Sequence, residues 1–347
     1  MKNIISLIVL TVLAGVLLTS CGKNSETKVT LTGAGASFPA PLYTKWFSEY
    51  SKANLNVQIN YQSIGSGGGI KQITEGTVDF GASDAPMTTE EKSAAETKGG
   101  SKIYHIPTCL GAVVLTYNLP GVTKPLNMTG DMVAQIYLGK IKKWNDPAIV
   151  KENPGVELPD KEIIPIYRTD GSGTTFIFTS FLGASSEEWK AGPGISKTVN
   201  FTTGQGAKGN EGVTGQVKQI QYSIGYVELI YAIQNKINFA NIKNPNGEYV
   251  TPSLESVTKA AEVSSAEMPE SLTMSIINAK GAGAYPISSY TYLLVFEKNK
   301  DAEKGKSLKK LVEWCISDGQ NFANELGYSK LPVSVVAKVK DVVSKIQ

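Results

Sequence analysis

The chain reads as an α/β protein. Short runs in which apolar residues alternate with polar ones are followed, four times, by a loop of glycine and small hydroxyl residues and then by apolar residues at helical spacing. The 347 residues also exceed what a single domain of ordinary size needs, even with an N-terminal export segment set aside, so two domains are expected.

Residues 1–20 stand apart from the fold. Lys2 precedes an apolar run from Ile4 to Leu18 that is short for a bilayer span and is followed at once by small residues, as in a secretory signal. Leu18-Thr19-Ser20-Cys21 resembles the lipobox of bacterial lipoproteins. That resemblance implies cleavage before Cys21 and a lipid on its sulfur, with residues 21–26 as a polar tether. The protein would then be anchored to a bacterial membrane, on the periplasmic side or at the cell surface. The formal charge of +3 drops by one when Lys2 is removed, which leaves no broad basic surface for nucleic acid. Any anion recognition must be local.

In the first unit, Val29 and Leu31 alternate with polar residues, Gly33-Ala34-Gly35-Ala36-Ser37-Phe38-Pro39 forms the loop, and Leu42, Trp46, Phe47 and Tyr50 mark a helix. In the second, Val57, Ile59 and Tyr61 precede Gly65-Ser66-Gly67-Gly68-Gly69, and Ile70 with Ile73 opens a short helical face. In the third, Val78 to Pro86 runs from strand into loop, and Thr88-Thr89-Glu90-Glu91 supplies helix-start residues. In the fourth, Ile163, Ile164 and Ile166 lead through Arg168 to Asp170-Gly171-Ser172-Gly173-Thr174, and Phe178, Phe181 and Leu182 follow at helical offsets. Leu308 to Cys315 and Val335 to Ile346 read as C-terminal helices.

A helix N-terminus presents unpaired N–H groups and a positive dipole end, glycine permits close approach, and serine and threonine add hydroxyl donors. Four such ends at the carboxyl edge of open sheets could surround one small anion. Each loop taken alone reads equally as a helix cap.

Enzyme signatures do not assemble. A lone histidine, His105, rules out a multi-histidine zinc site and, among Ile103, Ile106 and Pro107, reads as a packed or surface imidazole. Gly305-Lys306-Ser307 lacks the earlier glycine of a nucleotide-phosphate loop, and neither Ser66 nor Ser172 lies in a hydrolase elbow. No cofactor or metal is expected. Cys109 and Cys315 read as buried thiols in preference to a disulfide.

Arg168 is the only arginine among 34 basic residues. Its planar fork fits the oxygens of a tetrahedral anion as a lysine point charge does not, although it could also serve to pair a carboxylate and fix a turn.

Together, Leu31 to Pro41, Gly65 to Gly69, Asp79 to Pro86 and Asp170 to Thr174 resemble, in order and spacing, the motifs of phosphate-binding proteins of ABC phosphate importers. The resemblance continues through Ile136 to Trp144 and Ser223 to Glu228, so it covers nearly the whole mature chain.

It implies a bilobal type II periplasmic-binding-protein fold, two mixed-sheet lobes joined by a hinge that the chain crosses twice. The expected division is 27–108 with 286–347 for one lobe and 109–285 for the other. The implied ligand is inorganic phosphate, held by the Ser37 hydroxyl, the Phe38 N–H, Ser66, Arg168 and the Ser172-Gly173-Thr174 group. Asp170 would orient Arg168, and Asp84 would accept a proton still on the phosphate. The implied partners are the transmembrane subunits of an ABC permease, with the chain itself a monomer and not an enzyme. Another tetrahedral oxyanion such as sulfate, molybdate or arsenate, a secreted phosphohydrolase using Ser172 or Ser66, and a surface-interaction role are the alternatives.

Overall fold

The computed structural model describes residues 28–347. The expected signal, residues 1–20, and the tether with its anchoring Cys21, residues 21–26, lie outside the described residues. The first half of the fold is built from β1 (Val29–Gly35), α1 (Ala40–Ala53), β2 (Val57–Ser63), α2 (Ser66–Glu75), β3 (Phe80–Ser83) and α3 (Thr89–Gly99). The strand β1 lies between β2 and β3 and is parallel to both. Pro39 opens α1, whose Leu42, Tyr43, Trp46, Phe47 and Tyr50 are buried, and Trp46 Nε1 donates to Gly319 O at 2.6 Å. Thr88 and Glu91 form a reciprocal capping box at the start of α3, satisfying two orphan N–H groups.

The chain then enters β4 (Ile103–Tyr117), an almost uninterrupted buried strand. Beyond it come β5 (Asn127–Met128), α4 (Gly130–Tyr137), α5 (Pro147–Glu152), β6 (Ile164–Arg168), α6 (Gly173–Ser185), α7 (Glu187–Ala191), β7 (Gln205–Ala207) and α8 (Gly209–Gln219). They are followed by β8 (Ser223–Glu228), α9 (Leu229–Asn235), β9 (Asn238–Phe239), β10 (Asn241–Lys243), β11 (Tyr249–Val250) and α10 (Leu254–Glu262). The chain closes with β12 (Ser288–Phe296), α11 (Ala302–Cys315) and α12 (Val333–Val343).

One strand serves both halves. Residues Ile103–Ala112 of β4 pair antiparallel with β12, whereas Val113–Tyr117 pair antiparallel with β8, so β4 changes partner between Ala112 and Val113. The sheet order is β2-β1-β3-β12-β4-β8-β6-β7, with β9 also on β4 and a small β11-β10-β5 sheet beside it. The outcome is the expected bilobal α/β fold: parallel strands flank antiparallel ones on each side of the shared strand. A strand buried on both faces reads as a continuous apolar run, which is why Ile106 to Leu115 shows little alternation. The helix α11 packs on α1 and β1, and α12 packs on α11 and β4. Cys109 and Cys315 are buried and unbonded, and burial pushes both thiols up. Among the described residues no helix is long and apolar enough to cross a membrane.

Glycines in the second loop also serve packing. A Cβ on Gly69 would lie 2.6 Å from Gly35 Cα and 2.7 Å from Ala34 O, so the glycines of α2 let the helix sit directly on β1 and β3.

Candidate functional site

The carboxyl ends of five parallel-paired strands meet in the cleft between the lobes, each continuing into a loop that carries a polar side chain. Ser37 follows β1, Ser66 opens α2 after β2, Asp84 follows β3, Arg168 ends β6, and Asn210 lies in the first turn of α8 after β7. All are buried. The four sequence-identified loops are therefore brought together, and a fifth joins them.

The hydroxyls at this point share one arrangement. Ser37 Oγ accepts from Asn210 N at 3.2 Å and Asn210 Nδ2 at 2.8 Å. Ser66 Oγ accepts from Asp84 N and Gly173 N, both at 3.1 Å. Thr174 Oγ1 accepts from Arg168 Nη1 at 3.3 Å and Asn210 Nδ2 at 3.1 Å. A hydroxyl has one proton and two lone pairs, so a hydroxyl that already accepts twice can act further only as a donor. Three side chains that could donate or accept are thus committed to donating, which suits an oxyanion and disfavours a cation. Ser172 caps α6 by accepting from Thr175 N at 3.0 Å, and its own proton is likewise free of that bond.

Arg168 is clamped by Asp170, with Nε donating to Oδ1 at 2.8 Å and Nη2 to Oδ2 at 2.5 Å. With Nη1 on Thr174, one N–H on each terminal nitrogen has no partner among the described residues. Burial pulls the Asp170 carboxyl up, but the Arg168 hydrogen bonds and charge, with the Gly209 N–H, outweigh it and hold the group below its usual range. Gly65, at φ +86°, stands where a Cβ would come within 2.2 Å of Asp170 Oδ2. Only glycine satisfies both the backbone and that carboxylate.

Asp84 is the opposite kind of group. It is 2 % exposed, and burial pushes its carboxyl up to about 7, against the downward pull of the Thr291 hydroxyl, the Arg168 charge and Ser66. Thr291 Oγ1 donates to Oδ1 at 2.8 Å, and Ser66 Oγ donates to Oδ2 at 3.4 Å. A Cβ on Gly173 would lie 2.5 Å from both Asp84 Oδ2 and Ser66 Oγ, so this glycine keeps the space between the lobes open.

The lobes also touch directly. Gly67 N donates to Gly171 O at 2.7 Å, and Lys197 Nζ reaches both oxygens of Glu91. Phe38 contributes packing, its ring edge-on to Tyr328 and its carbonyl accepting from Tyr328 OH at 2.6 Å. His105 is a packed imidazole: Nε2 accepts from Met87 N at 3.0 Å, three residues past Asp84, and burial with nearby Lys92 pulls it down to about 4. It stays neutral and steadies the Asp84 loop.

The sequence reading missed Asn210 and Thr291. Asn210 Oδ1 accepts from Glu228 N at 2.9 Å, which fixes the amide so that it can donate to Ser37 in the facing lobe and to Thr174 in its own. Gly209-Asn210 belongs to another strand–loop–helix unit, but its strand, Gln205–Ala207, is too short to alternate legibly. Thr291 lies inside an apolar strand and carries no local signal.

A sequence profile of the PBP superfamily domain matches residues 22–319. The chain is 45% identical over 312 residues to the phosphate-binding protein PstS of Pasteurella multocida, covering 90% of this chain and 89% of that one. It is 46% identical over 314 residues to the protein of the same name from Haemophilus influenzae, covering 89% and 91%. In three dimensions it is similar to a phosphate binding protein from Stenotrophomonas maltophilia, with a TM-score of 0.70 at 19% identity over 90% of this chain and 93% of that one. The sheet shared across a cleft, the matched profile and the identity along nine-tenths of the sequence lead to one assignment: the chain belongs to the PBP superfamily and, within it, to the family of PstS phosphate-binding proteins.

Proposed function

We propose that this protein captures inorganic phosphate in the cleft between its lobes and delivers it to the transmembrane subunits of an ABC phosphate importer, without turnover. The observation that carries the reading is the set of hydroxyls on Ser37, Ser66 and Thr174, each committed to donating, around one Arg168 with two N–H groups to spare. Ser37, Ser66, Ser172 and Thr174 donate to phosphate oxygens together with N–H groups of Phe38 and the first turn of α6, and Arg168 supplies the fork. Asp170 holds that fork in place, and Gly173 leaves room for the anion.

Asp84 sets selectivity by accepting the proton that phosphate still carries at neutral pH. Sulfate has none, so it would meet an unmatched buried acceptor, a cost of about 1–3 kcal/mol or more, equivalent to roughly fivefold to over a hundredfold in affinity. The mature protein is exported and held to the membrane by lipid on Cys21, and works as a monomer. The change of partner in β4 supports a lobe boundary between residues 112 and 113. Ser329 Oγ donating to Leu254 O, and Tyr285 N to Ser256 O, support a return to the first lobe near residue 254.

Calorimetric titration of a Cys21→Ser chain lacking residues 1–20 tests the function. One-to-one phosphate binding with sulfate rejected is the expected result. Absence of heat with phosphate, or a preference for sulfate, molybdate or arsenate, would overturn it; mass analysis of the native N-terminal peptide tests the lipid.

A further inference from the structure

Thr291 meets Asp84 because of an irregularity in the sheet. The strand β12 runs antiparallel to β3 with Tyr292 opposite Ser83 and Leu293 opposite Ala82, and continuing that register places Thr291 opposite Asp84. On its other side β12 faces β4, where the ladder slips: Thr291 lies opposite Cys109 but Tyr292 opposite Pro107, so Thr108 is an extra residue. The slip falls beside Pro107, which has no N–H to give the ladder. Thr108 instead turns its hydroxyl to Thr291 O at 3.3 Å and is itself bonded to Tyr43 OH at 2.8 Å. Backbone and side chain of Thr291 are therefore both fixed, and the hydroxyl points at Asp84 Oδ1 from 2.8 Å. Neither residue meets solvent to any useful extent, so water cannot stand in for that donor.

We infer that Thr291 is a positioning residue for anion selectivity: its hydrogen bond to Oδ1 favours the ionised form of Asp84 and turns the carboxylate so that Oδ2 is presented to the ligand as a proton acceptor. This rests on the reading of Asp84 given above. Without the donor, the buried carboxylate loses a bond that favours its charged form, takes up a proton and becomes a donor itself, and a donor at that place welcomes sulfate. Among the other groups facing Asp84, Ser66 Oγ donates to Oδ2 at 3.4 Å, a longer bond than the 2.8 Å one from Thr291. Arg168 on β6 is the charge of opposite sign and is already committed to Asp170. Tyr61 on β2, Cys109 on β4, Tyr292 on β12 and Tyr328 are pushed up by burial and stay uncharged, and burial also pushes the Glu228 carboxyl on β8 up.

The test compares phosphate and sulfate binding by calorimetry across neutral pH for the parent chain, Thr291→Val, Thr291→Ser and Asp84→Asn, with difference infrared spectra of the carboxyl region. Sulfate does not titrate in this range, so its pH dependence reports the protein group. Thr291→Val is expected to lower the phosphate-to-sulfate ratio roughly tenfold or more and to bring on sulfate binding at higher pH. Thr291→Ser, which keeps the donor, should stay near the parent and so exclude a general packing effect. At about pH 8 a protonated-carboxyl band that Asp84→Asn lacks should appear in Thr291→Val and be absent from the parent. Equal weakening of both anions by Thr291→Val with the sulfate pH profile unmoved overturns the inference. If Asp84→Asn lowers the ratio and Thr291→Val does not, the inference about Thr291 falls alone; if Asp84→Asn leaves the ratio unchanged, the reading of Asp84 falls and takes this one with it.

Discussion

Lys197 and Glu91 close the cleft at its rim: Nζ lies 2.7 Å from one carboxylate oxygen and 2.6 Å from the other. Glu91 is the capping-box residue of α3, and the carbonyl of Lys197 accepts from Ser172 N at 2.9 Å, so the ion pair ties the rim to a loop of the site. The pair is only partly shielded, which limits its worth to about 0.5–1 kcal/mol. Lys197→Ala or Glu91→Gln should therefore weaken phosphate binding roughly two- to fivefold, mostly through faster release. Stopped-flow dissociation rates at low and high salt check this: the parent should lose affinity with salt and the variants should lose less.

Asn210→Ala removes two donors from the hydroxyls and leaves the Glu228 N–H buried without its acceptor. A cost of about 1–3 kcal/mol in stability is expected from that orphaned group. The midpoint of denaturant unfolding should drop, and phosphate affinity should fall by an order of magnitude or more, since Ser37 and Thr174 regain freedom to turn. Asn210→Asp should recover part of the stability and none of the affinity, because a carboxylate still accepts from Glu228 N but cannot donate.

Two glycine substitutions should separate binding from folding. Gly173→Ala places a methyl 2.5 Å from Asp84 Oδ2 and Ser66 Oγ, at side chains lining the cleft, and should abolish phosphate binding while the chain still folds. Gly69→Ala drives a methyl into the backbone of β1 and should cost about 1–3 kcal/mol of stability or more, the scale of core overpacking. Circular dichroism melts beside calorimetry distinguish the two.

Arg168→Lys keeps the charge but not the fork. The two-point clamp to Asp170 and the bond to Thr174 cannot both survive, and the loss in phosphate affinity should reach roughly a hundredfold, larger than for Asp170→Asn. Titration calorimetry on both variants checks the order.

Stability of the ligand-free closed form should depend on pH through Asp84. Its carboxyl sits at about 7 when folded, above its ordinary value of 3.8, so between those values the native chain holds a proton that the unfolded chain has lost. The Asp84 contribution to stability should rise as pH falls from 7 toward 4 and vanish above 7, with a span on the order of a few kcal/mol, while His105, held down to about 4, contributes with the opposite sign below 6.5. In urea titrations without phosphate, the difference between the parent and Asp84→Asn isolates this contribution, because His105 and Glu228 titrate in both.

Much of the architecture can be read in consecutive residues. Strand, loop and helix follow from alternation, glycine punctuation and helical spacing, and the pairing of Arg168 with Asp170 spans only two residues. The family motifs add the expectation of a cleft and an anion, and they suggest the roles proposed above for Ser37, Ser66 and Asp84. The purpose of the glycines was less legible, because what a missing Cβ makes room for depends on what packs there: Gly69 makes room for β1 and Gly173 for the space beside Asp84.

Local chemistry along the chain thus specifies which loops carry donors and which single residue carries the charged fork. Folding alone specifies their polarity. Asn210 reaches Ser37 across 173 positions, Thr291 reaches Asp84 across 207, and Lys197 reaches Glu91 across 106. No periodicity or spacing encodes such pairs. They exist because β4 carries both lobes in one sheet and a bulge aims one threonine, and a hydroxyl becomes a committed donor only when both its lone pairs are taken by neighbours that the fold supplies.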